Sequence, residues 1–370
     1  MVRFGAAVLL VAFLGLFLLA GCEQEPLAEP IAVAAPPRIN PDTLASLLPR
    51  DSIPAIDDPQ FESAALAEDM QPGERVIGLE INGDARAYPI NILSSHEIVN
   101  DVVGGEAVAV TWCPLCYSAL VFSRQVDGRQ LSFGVSGQLL DNTLVMYDRQ
   151  TESLWSQLYG GAVNGPMAGT SLKVFPSVLT EWVSWSAQHP DGRVLSKRQT
   201  CATFSCGDYA SNPYGSYDVD PYAGYYLTAD EGVVNHQIPR DAFGGGPKQR
   251  VLGVRMGEFA KAYPFAALAK ERVINDEIDG VPVVIWFDPG AESGAAFIRR
   301  VDGQVLDFQP DTADPSLMRD KQTDSLWSGA AGKAQHGSYA RSRLSPLVTT
   351  PAFEFGWYGY FPGSDTYGDP

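Results

Sequence analysis

The chain has 370 residues, with 26 basic and 44 acidic side chains, which gives a formal net charge of -18 at pH 7. This acidic balance argues against polyanions as ligands, so we expect no nucleic-acid partner. The part of the chain after the N-terminal segment is longer than one hydrophobic core usually serves, which predicts two domains.

The N-terminus has the pattern of an export signal. Arg3 precedes an apolar run over residues 6–20 that is too short for a stable membrane span. The run ends in Leu-Ala-Gly-Cys at Cys22, which resembles the lipobox of bacterial lipoproteins, where the cysteine is lipidated. We therefore predict a lipoprotein signal over residues 1–22, a lipid on Cys22 and attachment to a membrane. An ordinary signal peptide followed by a free thiol is the alternative. Glu23 favours the periplasmic face of the outer membrane, by resemblance to lipoprotein sorting rules.

Residues 23–41 are rich in Pro, Ala and Glu. This composition favours extended backbone with little packing, so the segment is predicted to be a tether.

The rest of the chain contains an internal repeat. Shifted by 175 positions, Ala87-Tyr88-Pro89 aligns with Ala262-Tyr263-Pro264, and Asn100-Asp101 with Asn275-Asp276. After a loss of three residues the shift is 172, and the run 148–156 aligns with 320–328. We predict a first repeat domain over 42–192, a tyrosine-rich connector over 193–248 and a second repeat domain over 249–370.

The expected fold class is mainly β with short helices, as two tandem homologous β-rich domains; α+β is the alternative. Short β-branched or aromatic runs lie between Gly, Pro, Asn and Asp residues, as in residues 75–81, 108–112 and 143–147. Asp127-Gly128 predicts a tight hairpin turn. The best helical segments are residues 91–98 and 265–271.

The repeat also acts as an internal control, because a feature found in both copies is explained by the shared fold. The run 148–156 is then a shared turn with a core tryptophan, and Asn100 and Asp101 are predicted to form turns. The first copy alone has Cys113-Pro114-Leu115-Cys116, where the second has Asp-Pro-Gly-Ala, and it alone has His96. Cys113, Cys116 and His96, with Glu97 beside them, are the candidate site.

Three chemistries suit this motif in an exported protein. The cysteines can exchange disulfides, although the strand-like sequence after Cys116 disfavours a thioredoxin fold. They can bind a soft metal such as copper, or zinc, with His96 as a further ligand. They can instead form a structural disulfide that braces a turn. The partners implied are another envelope thiol protein or metal protein.

Four other residues have weaker claims. Cys201 and Cys206 are interpreted as a small disulfide loop, with completion of a zinc site as the alternative. Met146 offers a thioether to copper, but it recurs as Met318. Ser136 is conceivable as a nucleophile.

The chain resembles a bacterial and archaeal family catalogued as domain-of-unknown-function family 3179. The resemblance rests on these short motifs: Ala87-Tyr88-Pro89, His96-Glu97 with Asn100-Asp101, Cys113-Pro114-Leu115-Cys116, Ser136-Gly137, and Asp148-Arg149-Gln150 with Leu154-Trp155-Ser156. It also takes in the tyrosine-rich connector and Val251-Leu252-Gly253-Val254, so it extends from about Val76 to the C-terminus. It supports the importance of His96 and of the two cysteines and names no substrate, and it leaves Cys201 and Cys206 outside the family pattern. Our hypothesis is an envelope lipoprotein that binds a soft metal or exchanges disulfides through Cys113 and Cys116 with His96. The sequence leaves open whether it is an enzyme, and a noncatalytic lipoprotein that binds a ligand or partner, with a structural disulfide, is the alternative.

Overall fold

The computed structural model describes residues 30–35, 39–198, 216–234, 246 and 248–368. The predicted signal, Cys22, most of the tether, Cys201 and Cys206 lie outside the described residues. Within the described ranges, no helix has the length and apolar character needed to cross a membrane.

The described chain is mainly β with short helices, which confirms this part of the expected fold class. The first half of the chain contains these strands: β1 (Ile31–Ala32), β2 (Ala45–Ser46), β3 (Phe61–Ser63), β4 (Arg75–Ile81), β5 (Asp84–Pro89), β6 (Ile98–Val103), β7 (Glu106–Cys113), β8 (Ser118–Ser123), β9 (Gln125–Val126), β10 (Arg129–Gln130), β11 (Phe133–Leu140), β12 (Thr143–Asp148), β13 (Leu154–Ser156), β14 (Gly161–Asn164), β15 (Lys173–Phe175), β16 (Val178–Glu181) and β17 (Arg193–Leu195).

The second repeat contributes the remaining strands: β18 (Arg250–Met256), β19 (Phe259–Pro264), β20 (Val273–Ile278), β21 (Val281–Asp288), β22 (Ser293–Ile298), β23 (Arg300–Val301), β24 (Gln304–Val305), β25 (Phe308–Pro310), β26 (Leu317–Asp320), β27 (Leu326–Ser328), β28 (Ala334–His336), β29 (Ser345–Pro346), β30 (Val348–Phe353) and β31 (Asp365–Thr366). The described α-helices are short: α1 (Ile90–His96), α2 (Trp182–Gln188), α3 (Ala223–Tyr226), α4 (Phe265–Glu271) and α5 (Glu354–Tyr360).

The elements follow the same order in the first half of the chain, which ends with β17, and in the second half, which begins with β18. Strands β4 to β16, with α1 between β5 and β6, then α2 and β17, have counterparts in β18 to β30, with α4 between β19 and β20, then α5 and β31. Each half has three larger sheets, ordered β16-β4-β5-β17-β3, β1-β15-β8-β7-β6 and β14-β13-β12-β11-β2 in the first, and β30-β18-β19-β31, β20-β21-β22-β29 and β25-β26-β27-β28 in the second. The pairing is antiparallel except where β17 meets β5 and β31 meets β19.

The local signals in the sequence produce these elements. Asp127 and Gly128 both have positive φ, at 48° and 75°. This pair of angles is the one that a tight primed hairpin turn requires, and the predicted hairpin is confirmed as β9 and β10. The helix predicted over 91–98 is α1, and the one over 265–271 is α4.

The turn prediction for Asn100 and Asp101 is wrong, because both lie within strand β6. The side chain of Asn100 exchanges hydrogen bonds with the backbone of Phe133. Asp101 accepts hydrogen bonds from Arg86 and Tyr88. Buried polar side chains with such partners join strands across sheets rather than reverse the chain.

Residues from both halves share the main hydrophobic core. Phe353 and Phe355 of the second half are buried within the cluster formed by the first half. Arg75 of the first half also donates hydrogen bonds to the carbonyl oxygens of Ala291 and Glu292 in the second half, in the seam where the two halves meet. The second half therefore packs directly against the first.

Candidate functional site

Cys113 lies at the end of β7, and Cys116 lies in the four-residue hairpin loop that joins β7 to β8. Cys113 ends β7 and pairs with Ser118, the first residue of β8. The loop closes through Tyr117, whose φ of 58° is left-handed. In the second half, Asp288 pairs with Ser293 in the same way, and Glu292 has a φ of 44°. The fold thus makes this turn twice, once with cysteines and once without them.

Both cysteines are free thiols and both are buried, with 2% of Cys113 and 0% of Cys116 exposed. The structure therefore differs from the alternative in which these residues form a structural disulfide. Burial, and then the hydrogen bond with Cys116, raise the pKa of the Cys113 thiol well above its ordinary value. Cys113 is accordingly a protonated thiol at neutral pH.

A buried polar chain continues from the thiols. The Cys116 Sγ lies 3.1 Å from the Ser118 Oγ, and the Ser118 hydroxyl donates to the Gln157 Oε1 at 2.8 Å. The Gln157 amide donates in turn to the Thr111 Oγ1 at 3.2 Å. Because every member has a partner, this network fixes the turn without exposing it to water.

The cover over the thiol turn comes from the connector and from the second half. The Tyr225 hydroxyl donates to the Leu115 carbonyl oxygen at 2.9 Å, and the Phe353 amide donates to the Cys116 carbonyl oxygen at 2.8 Å. A β-carbon added to Gly356 would lie 2.8 Å from the Cys116 Cβ, closer than such atoms approach. Helix α5 therefore packs on Cys116 at a position where only glycine leaves room.

Glu97 lies at the edge of the thiol turn. It ends helix α1 in a left-handed conformation, with a φ of 57°, and its carbonyl oxygen accepts from the Trp112 amide. Burial, with a smaller contribution from the nearby Cys113, raises the pKa of the Glu97 carboxyl well above its usual range. Arg272 occupies the equivalent place after α4, with a φ of 62°. The backbone shape belongs to the shared fold, whereas the acidic side chain belongs to the first half alone.

His96 is buried, and both of its ring nitrogens have partners. Nδ1 lies 2.7 Å from the Pro54 carbonyl oxygen and Nε2 lies 2.6 Å from the Tyr217 hydroxyl. Since a carbonyl oxygen only accepts, Nδ1 carries the proton of the neutral ring and Nε2 accepts from Tyr217. Burial lowers the pKa of His96, which favours this neutral form.

The three predicted metal ligands, Cys113, Cys116 and His96, do not come together as one set in this structure. Across residues 30–35, 39–198, 216–234, 246 and 248–368, no three His, Cys, Asp or Glu side chains form a group able to hold a metal ion. His96 joins the connector to the first half, while the two thiols contact each other.

The weaker candidates have structural surroundings. The Ser136 hydroxyl donates to the Val145 carbonyl oxygen and accepts from the Gln138 amide, where β11 shifts register against β12. Met146 is fully buried in the core, as is Met318 in the second half. These contacts explain Ser136 and both methionines without catalysis or metal binding.

The shared turn predicted over residues 148–156 is confirmed. The Trp155 indole donates to the Asp148 carboxylate at 2.9 Å, and the Trp327 indole donates to the Asp320 carboxylate at the same distance. Both tryptophans are fully buried. The sequence run is therefore a device of the fold in both halves.

Sequence reasoning missed the residues that cover the thiols. In the sequence, Tyr225 is one of several tyrosines in the connector, and nothing there distinguishes it from the others. Gly356 carried a usable signal, because it aligns with Ser184 at the 172-residue shift and so differs between the copies. Gln157 lies just beyond the repeated run 148–156 and carried the same kind of signal, because it aligns with Gly329 at this shift.

The comparisons with known proteins give one result. Searches of the curated proteins and of the solved structures found no match to this chain. A family profile described as "Protein of unknown function (DUF3179)" matches residues 50–364, a span that includes the thiol turn, the connector and helix α5. The match covers most of the sequence and agrees with the resemblance found from the motifs. The chain therefore belongs to the DUF3179 family of proteins of unknown function.

Proposed function

We propose that this protein is an exported, lipid-anchored protein whose first half carries a thiol and disulfide redox pair formed by Cys113 and Cys116. The observation that carries the proposal is a pair of free thiols in hydrogen-bonding contact, on a turn that the second half makes with no cysteine. Because Asp288 to Glu292 close the same turn, a disulfide is not needed to brace it. The short loop between the cysteines would also restrict the unfolded chain little, which further weakens a purely stabilising role.

The reaction would be exchange with a disulfide of a partner protein. The thiolate of one cysteine attacks a partner sulfur, forms a mixed disulfide and releases the first partner thiolate. The second cysteine then attacks the mixed disulfide and releases the second partner thiolate, leaving a Cys113–Cys116 disulfide. Two electrons and two protons pass to the partner, whose disulfide becomes two thiols. Because Cys113 and Cys116 are covered, exchange requires the Tyr225 or Gly356 contacts to open.

In this proposal His96 organises the cover and does not touch the reacting sulfurs. Its Nε2 accepts from Tyr217, which lies in the connector that also supplies Tyr225. Loss of His96 would loosen the connector over the thiol turn.

A soft metal remains the second candidate, with copper(I) as the ion. Two contacting thiols in a site closed to water form a two-sulfur ligand pair, and thiolates select copper(I) over harder ions. Such a site needs neither His96 nor a third ligand. The partner would then be a metal-donating or metal-accepting protein.

A redox titration tests the main proposal. The background variant carries Cys22→Ser, Cys201→Ser and Cys206→Ser, so that only Cys113 and Cys116 report. The protein is equilibrated in glutathione buffers of graded potential, and its free thiols are alkylated and counted by mass. We expect two thiols to disappear together at one midpoint, and Cys116→Ala, which installs the residue of the second half, to abolish the step. Two thiols that stay reduced at every potential would contradict the proposal.

Two further measurements address the metal and the anchor. Anaerobic loading with copper(I), followed by dialysis and metal analysis, is expected to retain stoichiometric copper if the second candidate holds, and none in the Cys113→Ala, Cys116→Ala double variant. For the anchor, we expect Cys22→Ser to shift the protein from the membrane fraction to the supernatant. Retention of that variant in the membrane fraction would contradict lipid attachment.

A further inference from the structure

Arg255 is a buried arginine in the seam between the two halves. It lies on β18, is 7% exposed, and contacts the first half through a hydrogen bond of 3.0 Å from its Nη1 to the Tyr159 carbonyl oxygen. Its guanidinium lies 5.5 Å from the centre of the Phe361 ring. One nitrogen and one face of the planar group are thereby held in place.

The opposite edge of the guanidinium is unused. Nε and Nη2 are buried and have no hydrogen-bond partner among the described residues. These two nitrogens lie on the same edge of the plane, where their N–H groups point in parallel. That pair is the fork which binds two oxygens of a carboxylate or a phosphate group at once.

The charge of Arg255 is uncompensated. No acidic side chain in the described part of the chain forms an ion pair with it, and burial alone lowers its pKa to about 10. Isolated buried charges are costly, so proteins pair them with an opposite charge. The position equivalent in sequence, Glu80 in the first half, is exposed, so the shared strand does not require a buried arginine there.

The backbone beside the unused edge carries no side chain. Gly160 has a φ of 73°, and a β-carbon added to it would lie 3.8 Å from the Arg255 Nη2 and 3.3 Å from the Val33 side chain. The Gly160 backbone therefore lies near Nη2 without a side chain of its own between them.

From these observations we propose that Arg255 binds an oxyanion, a carboxylate or a phosphate group, held by Nε and Nη2 in the seam between the halves. The site is independent of the thiol turn. The anion neutralises the buried guanidinium and links β18 of the second half to the Tyr159 loop of the first.

Calorimetric titration of the full chain tests the proposal. Sodium phosphate and sodium acetate are titrated separately, in a zwitterionic buffer at constant ionic strength. We expect saturable binding of at least one anion with a stoichiometry of one. The anion that binds shows whether the site takes a phosphate or a carboxylate group. Arg255→Met is expected to abolish this binding, and Arg300→Met, which removes an exposed arginine of the same half, to leave it unchanged.

Arg255→Lys keeps the positive charge and loses the fork, so we expect it to fold and to bind at least tenfold more weakly. The Cys113→Ala, Cys116→Ala variant is expected to bind like the original chain, which separates this site from the redox proposal. Absence of saturable binding by either anion, or equal binding by Arg255→Met, would overturn the inference.

Discussion

The Phe353 amide donates a 2.8 Å hydrogen bond to the Cys116 carbonyl oxygen, so a residue near the end of the second half fixes the backbone of the thiol turn in the first. Gly356, the third residue of the helix that follows Phe353, then packs against the Cys116 side chain. The chemistry proposed for the first half therefore depends on packing supplied by the second.

Gly356→Ala is expected to destabilise the protein. Alanine favours a helix over glycine by about 1 kcal/mol, but its methyl group would overlap Cys116, and overpacking of this kind costs about 1–3 kcal/mol. Urea unfolding measures the difference. The control is Ser184→Ala at the equivalent position of α2, which we expect to change the free energy of unfolding by less than about 0.5 kcal/mol. A stabilised Gly356→Ala variant would show that α5 does not press on the thiol turn.

The raised pKa of Cys113 predicts a loss of stability in mild alkali. The native state keeps this thiol protonated while the unfolded state releases its proton near pH ~8.5. The stability is fully present below that pH and falls as the pH rises toward the native pKa. We expect the free energy of unfolding to decrease between pH 8 and pH 10 under reducing conditions. The Cys113→Ala variant should have a flatter profile over the same range.

His96 predicts the opposite dependence in mild acid. Its native pKa is lowered, so the unfolded state binds the proton first, near pH ~6.5. Stability is present above that pH and is lost as the pH falls below it. Urea unfolding between pH 7.5 and pH 5 measures the loss, which His96→Gln should reduce. Combined with Tyr217→Phe in a double-mutant cycle, the histidine variant should report a coupling of about 1 kcal/mol.

Glu97→Gln is expected to stabilise the protein more at pH 7 than at pH 4. The pKa of Glu97 is raised in the native state, whereas in the unfolded state this carboxyl ionises above pH ~4.3. The native state therefore loses stability relative to the unfolded state as the pH rises above that value. Glutamine has the same shape and no charge, so it removes that cost. Denaturant unfolding of both proteins at the two pH values measures the difference. An equal effect at pH 4 and pH 7 would show that Glu97 is not desolvated at this place.

Local chemistry allowed the strands, hairpins and helices to be predicted, because alternation, β-branching and turn residues act over a few positions. Asp127-Gly128 needs no distant partner to form its turn. The turn prediction for Asn100 failed for the converse reason. The Asn100 side chain bonds to Phe133, a residue far along the chain, and turn propensity carries no information about that pairing.

The candidate site, too, could be predicted from the sequence only in part. Comparison of the two copies selected Cys113 and Cys116, since one copy lacks both. It also selected His96, but the sequence gives no sign that both ring nitrogens are engaged by Pro54 and Tyr217. The sequence shows that Arg255 differs in charge from the aligned Glu80. Only the structure shows that the Arg255 side chain is buried between the two halves.

The late position of the cover in the chain has a consequence for biosynthesis. Cys113 and Cys116 leave the ribosome, and cross any membrane, long before Phe353 and Gly356 are available to pack on them. During that interval the two sulfurs are open to whatever oxidant or metal surrounds the growing chain. The thiol pair is thus enclosed only after the N-terminal half has already met the chemistry around it.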